Sequence, residues 1–210
     1  MKTLPLSKII DASLKYVVHN SKLYNIDESH SLTHSIEVLH YAKNIVHSEI
    51  DNNPFLLEQK EIIYSSAILH DMCDNKYVCE KEGLERIEDF LIPLIGNKKT
   101  LVVKDIISSM SYSKVKVHGY PELGDYQLAY HIVRESDLLT AYNIPRSIVY
   151  NMLNLETTYS DSMMPVNSLF KSRMLQHINN KLFITDRSKT LAESLHDKLE
   201  RDIADYNFFL

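Results

Sequence analysis

The 210-residue sequence has no tryptophan and only four glycines, six prolines and two cysteines. A protein of many β-strands needs turn residues roughly every 8–12 positions, so this scarcity argues against a β fold and favours long helices joined by few loops. The two cysteines, Cys73 and Cys79, are too few for a disulfide framework and do not have the spacing of a zinc knuckle. We therefore expect reduced thiols in a cytoplasmic protein.

Long hydrophobic runs and long basic runs are also missing. No stretch approaches the roughly 18 consecutive apolar residues of a membrane-spanning helix, and lysine and proline interrupt the N-terminal MKTLPLSKII, unlike a signal peptide. The net charge is −5 and lysine and arginine form no long run, which argues against tight nucleic-acid binding through counterion release. We expect neither a membrane nor a nucleic-acid partner, whereas a small anion in a local basic pocket is compatible with this charge.

Hydrophobic residues make up 44% of the chain and recur at helical spacing. The pattern predicts helices over roughly residues 6–20, 32–46, 56–69, 80–95, 99–110, 125–140, 145–156 and 166–180. A C-terminal helix follows, in which Thr190 and Glu193 have the spacing of a capping box. The glycines and proline of SYSKVKVHGYPELGD predict a loop between the fifth and sixth of these helices.

The chain has the length of one domain, and it contains no internal repeat, low-complexity tract or linker-like run. We therefore predict an all-α fold in which residues 1–210 form a single compact helical bundle. The sequence does not indicate an oligomeric state.

The segment AILHDMCD places His70 and Asp71 directly after an apolar helical run. An imidazole nitrogen beside a carboxylate oxygen suits Mn, Fe, Co, Zn or Mg, but further ligands must come from distant segments. His34 and Asp137 are polar residues within otherwise apolar helical runs. A buried carboxylate such as Asp137 is costly unless a cation or a hydrogen-bond donor compensates it. These four side chains are therefore the candidate metal ligands.

The order of these four residues along the chain resembles the H…HD…D pattern of the HD-domain metal-dependent phosphohydrolase superfamily, with His34 first, His70–Asp71 next and Asp137 last. The resemblance covers roughly residues 28–145, and the last third of the chain is not diagnostic. A second His-Asp pair, His196–Asp197, lies on a charged terminal helix and lacks partner ligands. The resemblance to the superfamily therefore depends on all four residues together and not on a His-Asp dipeptide alone.

The resemblance implies an HD-type bundle with its core motif at about 28–145, completed by C-terminal helices in 146–210. It implies a divalent metal ion (Mn, Co, Mg, Fe, Ni or Zn) and a phosphohydrolase in which metal-activated water attacks a small phosphate ester, commonly a nucleotide. Many members of the superfamily carry histidine in the segment where this chain has MSYS, which begins at Met110. The side chain of methionine is a poor ligand for a hard cation. A mononuclear site is therefore favoured over a dinuclear one.

Four further positions are candidates for catalysis or substrate binding. Asp74 matches the acid of the HDxxE variant found in family 5′-deoxynucleotidases, one methylene shorter, and so is a candidate general acid or base. Lys76, just beyond the doublet, is the first candidate for phosphate contact and charge stabilisation, and Arg134, one turn before Asp137, is the second. His30 is either a substrate contact or a surface residue. Lys76 and Arg134 have the alternative of ordinary ion pairs with Asp74 and Glu135.

Two other functions remain open from the sequence. The first alternative is a catalytically silent regulatory or binding module with an HD fold that keeps the metal for structure. The second is a two-iron oxygenase in an HD-like bundle, which is disfavoured because the extra histidine ligands are missing. The phosphohydrolase reading is preferred since Asp74 and Lys76 are both present.

Overall fold

The computed structural model describes residues 4–162, 168, 170 and 174–209. Its regular structure is helical throughout these residues, without a strand, which confirms the predicted all-α class. The helices are α1 (Leu6–Leu23), α2 (Leu32–Glu49), α3 (Leu56–Leu69), α4 (Glu80–Ile95), α5 (Asn97–Ser109), α6 (Tyr112–His118), α7 (Gln127–Thr140), α8 (Ile144–Asn154), α9 (Leu175–Asn179) and α10 (Asp186–Phe209). Short 3₁₀ turns lie at Glu28–His30, His70–Cys73 and Gly124–Tyr126.

Helix α3 is the central helix of the bundle. Ile63, Ala67, Ile68 and Leu69 are fully buried, and α3 packs against α1, α2, α5 and α7. Every residue of α3 from Ile62 to Leu69 is buried, and a helical segment buried on all sides needs neighbours on all sides, which explains its position. The 3₁₀ turn that follows α3 therefore emerges directly from the hydrophobic core.

Helices α2 and α7 pack against each other and both contact α3. Their contact buries Val38 and Ala42 of α2 and Ile132 and Val133 of α7. Because the three helices are mutual neighbours, the N-terminal turn of α2, the C-terminal end of α3 and the last turn of α7 can meet at one point. The fold thereby brings together segments that are far apart in sequence.

The segment predicted as a loop from Ser111 onward contains helix α6, so that prediction is wrong for its first half. The Ser111 hydroxyl accepts a hydrogen bond from the Lys114 backbone N–H at 3.4 Å and caps the helix. Gly119, with a φ of 75°, ends it in the left-handed region that glycine adopts at little cost. The glycine and proline signals mark only the residues after α6.

The C-terminal helix begins earlier than the capping-box spacing indicated. Helix α10 starts at Asp186, where the Thr185 hydroxyl accepts from the Ser188 backbone N–H at 3.3 Å. Thr190 lies inside the helix and donates to the Asp186 carbonyl at 3.1 Å. The helix predicted over 166–180 is seen as α9 at its end, and much of its remainder lies outside the described residues.

Two findings bear on the expectations about thiols and membranes. Cys73 is buried and Cys79 is exposed, and both are free thiols. None of the described helices combines the length and the apolar character that crossing a bilayer requires.

Candidate metal centre

Three separate elements carry the four predicted ligands. His34 lies in the first turn of α2, His70 and Asp71 lie in the 3₁₀ turn after α3, and Asp137 lies in the last turn of α7. The packing of α2, α3 and α7 places these ends side by side. The structure therefore brings all four side chains together.

The distances define a compact cluster of nitrogen and oxygen donors. The Nε2 atoms of His34 and His70 are 3.0 Å apart. Asp71 lies against both, with Oδ2 at 3.2 Å from His34 Nε2 and Oδ1 at 3.2 Å from His70 Nε2. Asp137 Oδ1 is 3.4 Å from His34 Nε2 and 3.6 Å from His70 Nε2. Donor atoms of His34, His70 and Asp137 lie within 4.8 Å of one another and can hold a metal ion.

The backbone fixes the orientation of His70. Its Nδ1 atom lies 3.0 Å from the Ala67 carbonyl oxygen, and a carbonyl only accepts, so Nδ1 carries the proton. The Nε2 atom of the neutral ring therefore presents a lone pair to the cluster. Metal-binding histidines in general have their second nitrogen held by such a contact.

Buried polar atoms that lack a hydrogen-bond partner indicate whether a cation fits this cluster. Asp71 Oδ2 is buried and makes no hydrogen bond within the described residues. The lone pair of His70 Nε2 also faces carboxylate oxygens, Asp71 Oδ1 at 3.2 Å and Asp137 Oδ1 at 3.6 Å, and these atoms can only accept when the carboxylates are ionised. A divalent cation satisfies these atoms at once, and two imidazoles with two carboxylates form a donor set that divalent transition metals accept. The residues present therefore fit a metal ion.

The charges of the cluster agree with that fit. Burial disfavours the charged carboxylates, but His34 and His70 outweigh it and hold the pKa of Asp71 and of Asp137 well below its ordinary value. Burial likewise disfavours charged His70, while Asp71 and Asp137 outweigh it and raise the pKa of the imidazole. The carboxylates are therefore anionic near neutral pH, and the cluster attracts positive charge.

The cluster opens into a cavity of about 780 Å³. Its wall includes His70, Asp71 and Asp137 of the cluster, together with Asp74 and Lys76. Small-molecule sites typically occupy roughly 300–1,000 Å³. The cavity is therefore large enough for a small organic ligand next to the donor cluster.

Asp74 and Lys76 are adjacent on this wall. The Asp74 carboxylate accepts from the backbone N–H of Lys76 at 2.9 Å, and its other oxygen lies 3.9 Å from Lys76 Nζ. The Lys76 side chain is about half exposed, and its ammonium also lies 5.6 Å from the ring centre of Tyr150. Both residues therefore border the cavity, and their catalytic roles stay predictions.

His30 also lines the cavity, close to the cluster. Its ring centre is 6.2 Å from that of His34 and 5.7 Å from that of Tyr150. Its Nε2 atom lies 3.4 Å from Lys76 Nζ. Burial, as the largest cause, lowers its pKa, and the nearby Lys76 and Arg146 add to that effect. His30 is thus a neutral ring beside the candidate phosphate-binding lysine.

Arg134 does not lie among the residues that line the cavity. It is buried at 2% exposure, donates to the Leu182 carbonyl and pairs with Glu135 at 3.3 Å. Its guanidinium also stacks over Tyr120, 4.8 Å from the ring centre. These contacts hold the segment before α10 against α7. We therefore do not retain Arg134 as a substrate-binding residue.

Arg146, which the sequence analysis did not single out, also borders the cavity. Its Nε atom donates to the Ser29 carbonyl at 2.6 Å, and Nη1 donates to the Thr140 hydroxyl at 2.9 Å. The guanidinium thereby joins the turn that carries His30 to the helix that carries Asp137. Pro145, at the start of α8, is the one feature of the sequence that indicates a fixed backbone around Arg146.

Met110 was the basis for expecting one metal ion instead of two. It is buried at 3% exposure and lines the cavity. Within the described residues, His34, His70 and Asp137 form the one group of donors close enough to hold a metal. The number of metal ions stays a prediction.

Comparison of the chain with family models, curated proteins and solved structures gives no match. The four-residue cluster is compatible with an HD-type site, and this compatibility comes from the geometry and the sequence pattern.

Proposed function

We propose that this protein is a divalent-metal-dependent phosphohydrolase of the HD type, acting on a small phosphate ester of the nucleotide class. The observation that carries the proposal is that one cavity contains both the His-Asp donor cluster and the cationic side chains of Lys76 and Arg146. A phosphate ester needs both, because its hydrolysis requires an activated water and neutralisation of phosphoryl charge.

The four ligands would hold the cation. His34 and His70 supply nitrogen, and Asp71 and Asp137 supply oxygen. A divalent ion bound there lowers the pKa of water and polarises a phosphoryl oxygen. The remaining tasks belong to the protein's own side chains.

Lys76 binds the phosphoryl group. Its ammonium is a point charge on a half-exposed stem at the cavity wall. Arg146 is less mobile, because Ser29 and Thr140 anchor two of its nitrogens, so it contributes fixed positive charge. Lys114 also borders the cavity, but it is paired with Glu80 and donates to the Ser108 carbonyl at 2.7 Å.

Asp74 moves the proton. One of its oxygens is fixed by the Lys76 backbone N–H at 2.9 Å, which holds the carboxylate at the cavity wall. An ionised Asp74 accepts a proton from water and, once protonated, returns it to the leaving alcohol.

The shape and lining of the cavity favour an ester with an apolar or aromatic leaving group. Besides its polar residues, the lining includes Ile107, Met110, Leu138 and Met174. These apolar side chains suit a flat ring system. A nucleoside has the matching size and chemistry.

A metal analysis followed by a substrate screen tests the proposal. The purified chain would be loaded with Mn²⁺, Co²⁺ or Mg²⁺ and incubated with nucleoside monophosphates, cyclic nucleotides and an aryl phosphate. We expect metal-dependent phosphate release from at least one nucleotide, with loss of release in Lys76→Ala. Stoichiometric metal without phosphate release from any substrate would instead support the silent binding module.

A further inference from the structure

A hydrogen-bonded chain leads from Asp27 to Lys76. Asp27, next to the 3₁₀ turn Glu28–His30, accepts from the hydroxyls of Ser29 and Tyr77. It also accepts from the Ser29 backbone N–H at 2.9 Å and from Asn154 Nδ2 at 3.2 Å. The carboxylate thus joins three segments: the turn before α2, the loop after the His-Asp doublet, and the end of α8.

The two hydroxyls that donate to Asp27 also face His30. His30 Nδ1 lies 2.7 Å from Ser29 Oγ and 3.1 Å from Tyr77 Oη. Each hydroxyl has one proton, and an ionised carboxylate can only accept. With both protons committed to Asp27, both oxygens have only lone pairs left for His30. The Nδ1 atom must therefore carry the proton of the neutral ring.

The other end of the ring leads to the same tautomer. His30 Nε2 lies 3.4 Å from Lys76 Nζ, and an ammonium can only donate. Nε2 must therefore be the unprotonated nitrogen. Two independent contacts, on opposite sides of one imidazole, require the same proton position.

We infer that Asp27 is a positioning residue that fixes the tautomer of His30 through Ser29 and Tyr77, so that His30 Nε2 holds the Lys76 ammonium at the cavity wall. This inference rests on the proposed function for the role of Lys76 with phosphate. The proton arrangement itself does not depend on catalysis. Asp27 touches neither the cavity ligand nor the metal cluster, and it acts only through His30.

The surroundings of Asp27 keep it ionised, as the chain requires. Burial alone would raise its pKa, but hydrogen bonds from Ser29, Tyr77 and Asn154 outweigh burial and lower the pKa to about 2. The carboxylate therefore remains an acceptor throughout the neutral range, and the direction of every hydrogen bond in the chain is fixed.

The isosteric variant Asp27→Asn tests this directly. Its amide keeps one acceptor for the Ser29 backbone, and asparagine caps a helix start as well as aspartate does. Its NH₂ group, however, cannot accept from Tyr77, whose hydroxyl is then free to donate to His30 Nδ1. The proton of His30 should move to Nε2, where it repels Lys76.

Removing the Tyr77 hydroxyl should reverse that effect. In Tyr77→Phe alone, Ser29 still donates to Asp27 and accepts from His30, so the tautomer should be unchanged. In the double variant Asp27→Asn with Tyr77→Phe, the misdirected donor is gone and the original tautomer should return. A purely structural role for Asp27 predicts the opposite, since the second substitution would add further damage.

The tautomer can be read from the ¹⁵N shifts of the histidine ring in the Mg²⁺-loaded 210-residue chain at pH 8, with His30→Gln assigning the signal. We expect a proton on Nδ1 in the unmodified chain and in Tyr77→Phe, on Nε2 in Asp27→Asn, and on Nδ1 again in the double variant. Circular dichroism establishes that each variant is folded. A proton on Nε2 in the unmodified chain, or unchanged His30 signals in Asp27→Asn, overturns the inference.

Binding of inorganic phosphate provides the functional readout. Asp27→Asn should weaken phosphate binding by about tenfold, the scale of one charge-assisted hydrogen bond, and the double variant should regain most of this affinity. If Asp27→Asn changes the tautomer and leaves phosphate affinity unchanged, the link from Asp27 to Lys76 is wrong. If the unmodified chain does not bind phosphate, the proposed function fails, while the ring shifts still decide the proton arrangement.

Discussion

Gly83 of α4 lies directly against Cys73, in the turn that carries His70 and Asp71. A Cβ atom at position 83 would come within 2.8 Å of both Cα and Cβ of Cys73, far inside van der Waals contact. Glycine is therefore what allows α4 to pack so closely on this turn. The position of two candidate metal ligands depends on that approach.

The substitution Gly83→Ala should displace the turn. We expect overpacking to lower the free energy of unfolding by about 1–3 kcal/mol and to weaken metal binding, because His70 and Asp71 move with Cys73. Urea unfolding and metal titration measure the two effects. Lys81→Ala, at an exposed position of the same helix, is the control and should change neither. Metal affinity that is unchanged in Gly83→Ala would show that α4 does not position the ligands.

Asp71→Asn tests the cluster itself, with the second His-Asp pair as an internal control. Asp71 faces both imidazoles at 3.2 Å, so replacing its carboxylate by a neutral amide should lower metal affinity by more than about 100-fold. This loss is larger than the one expected when a residue that only hydrogen-bonds to a metal ligand is replaced. Asp197→Asn alters the exposed acid of the second doublet, on α10, and should retain full metal content. Elemental analysis of both variants after identical loading gives the comparison. Equal metal in the two would remove Asp71 from the ligand set.

Asp74→Asn should separate proton transfer from metal binding. The amide keeps the acceptor for the Lys76 backbone N–H, so the loop should retain its conformation. Loss of general acid–base catalysis typically slows turnover by roughly 10²–10⁴-fold, and metal content should not change. Steady-state kinetics on the substrate found in the screen, together with metal analysis, provide the measurement. A variant with full turnover would exclude Asp74 as the proton carrier.

The sequence predicted the metal cluster because His34 and Asp137 lie within apolar helical runs and His70–Asp71 directly follows one, where an uncompensated polar side chain is costly. The order of the four residues, which resembles the H…HD…D pattern, joined these separate signals. It did not predict the position of Arg134, because nothing in RESDLL shows that residues near Leu182 cover that face of α7. Asp27 was missed for a similar reason. Its partners Tyr77 and Asn154 are 50 and 127 residues away in the chain, and only the assembled fold joins them.

Arg134→Ala distinguishes a structural arginine from a substrate-binding one. Glu135 is fully buried and accepts from the Ile184 and Thr185 backbone N–H groups at 2.8 and 3.1 Å. Removing the Arg134 guanidinium that pairs with Glu135 should lower the free energy of unfolding by about 3–5 kcal/mol, as expected when one partner of a buried ion pair is lost. Phosphate affinity of the folded variant should be retained. Lys76→Ala should show the reverse, with normal denaturant unfolding and weakened phosphate binding.

His131 on α7 gives the protein a pH-dependent stability that is independent of the metal cluster. Gln127 accepts from the Leu123 backbone N–H at 3.0 Å through Oε1, so its amide nitrogen donates to His131 Nε2 at 3.2 Å. The ring also packs edge-on against Tyr120. Burial, and in addition the nearby Arg134, lowers the pKa of His131 to about 4. The folded state therefore favours the neutral ring.

Stability contributed by this neutral ring is fully present above the unfolded-state pKa of about 6.5 and is lost as the pH falls towards 4. Because the ring is not completely enclosed, we expect a loss on the order of 2 kcal/mol across that window. In His131→Phe, which keeps a ring against Tyr120 but cannot be protonated, the slope of unfolding free energy with pH should be smaller between pH 6.5 and 4. Urea unfolding of both proteins at half-unit intervals measures the difference. Parallel slopes would mean that other groups cause the acid sensitivity.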